Sequence, residues 1–106
     1  MYAEKLLANS DRFADEAVKS RDIIDLGMMV NRWGLIPNAA WQKAEKAYGT
    51  SVKKDFSKAV SKLKDAEYAK ECFDVLKMDQ TCILQIKKSL ERQDRNLARD
   101  DPGLAL

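Results

Sequence analysis

Punctuation is so sparse in this chain that little besides helix can be built from it. Its 106 residues contain two prolines, Pro37 and Pro102, and four glycines, Gly27, Gly34, Gly49 and Gly103. Between these marks apolar residues recur at steps of three and four, the spacing of one helical face. Few segments show the every-second-residue alternation of a half-buried strand. No Asn-Gly or Asp-Gly pair offers a tight hairpin turn. The fold class expected is therefore all-α.

The same spacing divides the chain. Leu6, Phe13, Ala17, Ile24 and Met28 mark one face of a first helix that starts near Tyr2 and can run to Trp33. A break is allowed at Ser20, where Ser-Arg-Asp can cap a new start. Gly34 reads as a left-handed stop, and Pro37 forbids continuation. Asn38 is placed to cap a short second helix over residues 39–48, ended by Gly49. Thr50 or Ser51 opens a third, with Val52, Phe56, Ala59, Leu63, Ala66, Phe73 and Leu76 in one stripe. Nothing that breaks helices interrupts residues 52–78.

Asp79 is expected to cap the fourth helix, which carries Cys82, Ile83, Ile86, Leu90 and Leu97. Beyond Leu90 only Leu97 is large and apolar, so the last turns are expected to overhang the core. Pairs of Lys87 with Glu91 and Glu91 with Arg95 would hold them helical. Short connections favour antiparallel neighbours. The architecture expected is a small antiparallel helical bundle, three long helices plus one short. It would form a single domain over residues 1–99, followed by a flexible tail over 100–106.

Charge limits the partners. Charged residues make up 34% of the chain but nearly cancel, leaving a net +2. A general nucleic-acid binder is usually far more basic, and a nucleic-acid mimic far more acidic. Glu4 and Lys5 interrupt the start, and no apolar run of signal-peptide length follows. No stretch approaches the roughly 20 apolar residues of a membrane span. A cytoplasmic location is expected.

The missing chemistry is as informative. Histidine is absent, which removes the commonest general base and every Ser-His or Cys-His nucleophile pair. Carboxylate di-metal sites in helical bundles use Glu-x-x-His motifs, which this chain cannot supply. Cys72 and Cys82 lack metal-ligand spacing. They would sit at levels differing by roughly 6 Å along the bundle, given a rise of about 1.5 Å per residue, so both are expected as reduced, buried structural thiols. Glu67, Glu71 and Asp74 share a helix face, but Lys70 and Lys77 are interspersed and the face reads as solvated. No phosphate-cradling glycine loop is present. The chain is expected to be no enzyme, with no catalytic residue, metal or cofactor.

Three surfaces remain. Both tryptophans flank one connection, residues 33–41. Either Trp33 and Trp41 plug the end of the core, or Trp33, Leu35, Ile36 and Trp41 supply anchors for another protein, since tryptophan is enriched at binding hot spots. On the third helix Lys53, Lys54, Lys58, Lys62 and Lys64 are opposed only by Asp55. Lys54, Lys58 and Lys62 repel at spacings of four. Such a row suits an acidic partner or a phosphate backbone, although lysine lacks the planar fork of arginine. A helix-turn-helix over residues 39–63 fits poorly, because Thr50 is polar where an apolar residue should follow the turn glycine. The overhang after Leu90 is the third surface, open to packing against a second copy. The function expected is a non-enzymatic protein–protein interaction module, a small adaptor, inhibitor or regulatory subunit. The expected partner is another protein or a second copy in a homodimer. The alternative is a nucleic-acid-associated protein using Lys53, Lys54, Lys58 and Lys62.

Overall fold

The break allowed at Ser20 is present. A computed structural model describes residues 2–15 and 20–100, with side chains omitted for residues 98–100. Ala17, assigned to the first helical face, and residues 101–106 of the expected tail lie outside the described residues. Helix α1 spans Tyr2–Arg12 and α2 spans Arg21–Trp33. Ser20 precedes α2 in the left-handed region, at φ 57°. Its side chain does not cap the helix. The hydroxyl instead lies 2.8 Å from the Tyr68 hydroxyl. The two helices run antiparallel, because residues early in α1 meet residues late in α2. Tyr2 donates to the Gly34 carbonyl (3.1 Å) and Lys5 to Asp25 (2.7 Å). Arg12 donates to both oxygens of the buried Asp22, at 3.0 and 2.8 Å. This bidentate contact satisfies a carboxylate that would be costly to bury alone.

Gly34 ends α2 at φ 98° and ψ −174°, a conformation open essentially to glycine, while its N–H closes on the Val30 carbonyl. Helix α3 spans Asn38–Tyr48. Pro37 occupies the cap position and Asn38 is already helical, so the asparagine cap expected from sequence is not formed. Proline has no amide to satisfy there, and the Pro37 carbonyl accepts from the amides of Ala40 (3.0 Å) and Trp41 (3.3 Å). Trp41 drops from α3 into the core, edge-on to Phe56, with ring centroids 5.4 Å apart.

The expected third helix is two helices. Helix α4 spans Ser51–Lys62 and α5 spans Ala66–Val75. The amides of Leu63, Lys64 and Asp65 bond three residues back, tightening the end of α4. Asp65 then caps α5, its Oδ1 accepting from Glu67 N (3.0 Å) and Tyr68 N (3.2 Å). One carboxylate thus satisfies orphan donors of a new helix inside an apparently unbroken stripe. Helix α5 closes with Lys77 at φ 55°. The Lys77 N–H bonds to the Asp74 carbonyl and the Met78 N–H to that of Phe73, a Schellman pattern.

Helix α6 spans Gln80–Asp100. Asp79 caps it as expected, accepting from Cys82 N at 2.8 Å. The overhang does not form. Ile86, Leu90, Gln93 and Leu97 are all buried along one stripe. Gln93 occupies a core position with its Oε1 accepting the Ile36 amide at 2.6 Å, while its Nε2 is buried without a hydrogen-bond partner. Neither the Lys87–Glu91 nor the Glu91–Arg95 pair is among the ion pairs of the described residues. Helices α2 and α6 form the most extensive helix–helix contact. They meet at Gly27, where a Cβ would lie 2.6 Å from Ile86 Cγ2 and 2.9 Å from Leu90 Cγ.

The fold is thus all-helical, but the count of three long helices and one short is replaced by six helices among the described residues. The core joins Leu6, Ile24, Leu26, Val30, Trp41, Phe56, Phe73 and Leu90 from all six. No helix in the described residues is long and apolar enough to cross a membrane.

Candidate interaction face on α2

Helix α2 is apolar over more of its circumference than its neighbours cover. Ile23, Ile24, Leu26, Gly27 and Val30 face inward and are buried. Met28 and Trp33 face outward, with relative exposures of 47% and 54%. Met29 lies between these extremes. Arg32 stacks over the Trp33 ring, its guanidinium carbon 5.5 Å from the centroid. Such a contact suits a surface indole, which keeps its opposite face open.

Grooves border this band on both sides. Toward α1, Lys5, Asp25, Met29 and Trp33 line a shallow channel, and the Lys5–Asp25 pair closes one wall. Toward α6, Met28 and Arg32 face Met78, Cys82 and Ile86 across a second groove. The face therefore extends from Trp33 across α2 to the α5–α6 turn. Its chemistry is thioether, indole and aliphatic, with arginine at the edge.

The four residues singled out from the 33–41 connection divide. Trp33 and Leu35 are exposed, whereas Ile36 and Trp41 are buried. Trp41 plugs the core against Phe56 and Trp33 does not. Met29 and Met78 are half-buried at this face, where the sequence pattern assigned neither, and Met28, expected on the core face, is exposed. A signal was available: residues 23–30 are apolar except for Asp25. A helix apolar nearly all round needs more cover than one core face supplies.

The lysine row is partly occupied. Lys53 Nζ lies 3.6 Å from Glu45. Lys62 donates to the Phe13 carbonyl at 3.1 Å and sits 5.0 Å from the Tyr68 ring centroid. Lys54 and Lys58 point outward. Lys64 is exposed and, with Lys87 and Glu91, borders the α4–α6 seam. Of the four lysines expected to form one face, two thus bind within the fold.

Both cysteines are free thiols. Cys72 is buried as expected, but Cys82 is exposed, because it sits in the outward first turn of α6. The Asp79 carboxylate beside it pushes its thiol pKa up, with smaller upward contributions from desolvation and their hydrogen bond. Glu67, Glu71 and Asp74 are exposed. Among the described residues no group of three or more His, Cys, Asp or Glu side chains is arranged to hold a metal. No family model matches the chain, and neither does any curated protein or solved structure.

Proposed function

We propose that the chain is a non-enzymatic protein-binding module that docks a partner on the outer face of α2. The carrying observation is the exposed pair Met28 and Trp33, continuous with Met29 on one side and Met78 and Cys82 on the other. Contiguous exposed apolar surface on a small domain marks interaction sites. Tryptophan supplies a large rigid anchor, and methionine adapts its shape to what it meets. Leu35 is exposed in the connection that follows α2, whereas Ile36 and Trp41 belong to the buried core.

The absence of histidine supports a binding rather than a catalytic role. The lysine row offers less to a nucleic acid than its spacing suggested, with Lys53 and Lys62 engaged by Glu45 and Phe13.

The test is affinity capture from the source cells with the intact chain and two double variants, each checked by thermal unfolding. Met28→Ser with Trp33→Ser should lose the captured protein while unfolding within a few degrees of the parent, since both side chains are exposed. Lys54→Ser with Lys58→Ser should retain it. Capture that survives the first pair and fails with the second would overturn the reading in favour of the lysine face. A solution mass of the chain alone separates a second copy from a different partner.

A further inference from the structure

The seam between α2 and α6 continues past the apolar groove and changes character. Asn31 and Gln85 border its apolar end, where Met28, Met78, Cys82 and Ile86 lie. The same two residues also border a second stretch lined by Lys88, Ser89, Arg92 and Arg95. Asn31 bridges the seam where the two stretches meet, its Nδ2 donating to Gln85 Oε1 at 3.4 Å and its Oδ1 accepting from Ser89 Oγ at 3.3 Å. The seam is therefore apolar on one side of this bridge and basic on the other.

The basic end is not neutralised by the fold. None of the ion pairs among the described residues uses Lys88, Arg92 or Arg95. Glu91 is the single carboxylate lining that stretch. Arg32 adds a cation at the apolar end. In a chain of net charge +2, this concentrates positive charge along one seam. Three of these four cations are arginines, whose forked donors match carboxylates in paired geometry.

We infer that this seam takes an acidic-ended amphipathic peptide segment of a partner protein, laid across both stretches. Apolar side chains would enter between Met28, Met78 and Ile86, and carboxylates would meet Lys88, Arg92 and Arg95. Charge complementarity selects the acidic end, and the thioether-lined half selects a peptide over a nucleic acid. A phosphodiester backbone has no aliphatic side chains to fill that half. The inference deepens the α2 reading and rests on it, because Met28 belongs to both.

The experiment measures fluorescence anisotropy of labelled probes on the full chain, at low and high salt. The probes are designed helical peptides with a leucine face and a glutamate cluster at one end or the other, the same peptides with lysine replacing glutamate, and a single-stranded oligonucleotide. A glutamate-ended peptide should bind, and its affinity should fall as salt screens the charges. Lys88→Glu, Arg92→Glu and Arg95→Glu together should weaken it by about tenfold or more. Lys88→Gln, Arg92→Gln and Arg95→Gln should give a smaller loss in the same direction, and Met28→Ser should weaken it independently. Equal binding of the lysine-ended peptides, indifference to the charge changes, or no peptide binding overturns the inference. Binding of the oligonucleotide in preference to every peptide also overturns it. The two readings fail separately. If the captured partner is lost with Met28→Ser and Trp33→Ser but indifferent to the charge reversal, the α2 face stands and the acidic end falls.

Discussion

Trp33 and Trp41 flank one connection and have opposite environments, and the cause is local. Trp33 is the last residue of α2 and shares its outward side with Met29, while Trp41 sits on the face of α3 that meets Phe56. Cys72 and Cys82 divide in the same way, one buried and one exposed. At Cys82 the nearby negative charge of Asp79 disfavours the thiolate and raises the thiol pKa. Asp79→Asn removes that charge, and asparagine is as good a helix cap. The folded variant should therefore have a lower Cys82 pKa and more thiolate at mildly alkaline pH. Iodoacetamide labelling of Cys82 should be faster in the variant, and the difference should shrink once the pH exceeds both pKa values. Equal rates at every pH would show that Asp79 does not control the thiol.

At the scale of elements, the start and stop of α3 and the start of α6 were legible because Gly34, Pro37, Gly49 and Asp79 act through their own backbone or first turn. The split of α4 from α5 was not, because it involves neither glycine nor proline. Asp65 alone makes the cap, and the apolar stripe from Leu63 through Ala66 hid it. The end of α5 is unusual for the same reason, with a lysine where glycine is the common choice. Lys77→Gly should relieve a left-handed side-chain residue and raise stability by up to about 1 kcal/mol, after the entropy that glycine loses on folding. Chemical denaturation measures this directly, and a loss of stability would mean that the lysine side chain contributes more than its backbone costs. The buried end of α6 could not be read from its own sequence either. Gln93 accepts an amide 57 residues earlier, at Ile36, a partner that its own helix does not reveal.

In the whole molecule, packing decides which apolar residues are left outside. Gly27 lets α6 pack closely on one side of α2, and Met28 lies at the edge of that seam. Gly27→Ala should destabilise the fold by about 1–3 kcal/mol through overpacking, even though alanine favours helix by roughly 1 kcal/mol. A midpoint of denaturation equal to or above the parent's would show that Ile86 and Leu90 move aside at little cost. Trp33 was legible in the sequence as a candidate anchor because tryptophan is rare there and lies beside a stop signal. Met28, Met78 and Cys82 were not, because they converge only when the α5–α6 turn reaches α2.

Fluorine NMR of the chain grown with 5-fluorotryptophan tests the face most directly, since Trp33 and Trp41 give one resonance each and Trp33→Phe assigns them. Alone, the Trp33 resonance should show the solvent isotope shift of an exposed ring, and the Trp41 resonance should not. On adding the captured partner, the Trp33 resonance should move and lose that isotope shift while Trp41 stays in place. A Trp33 ring that remains as exposed in the complex as in the free chain would contradict docking on α2.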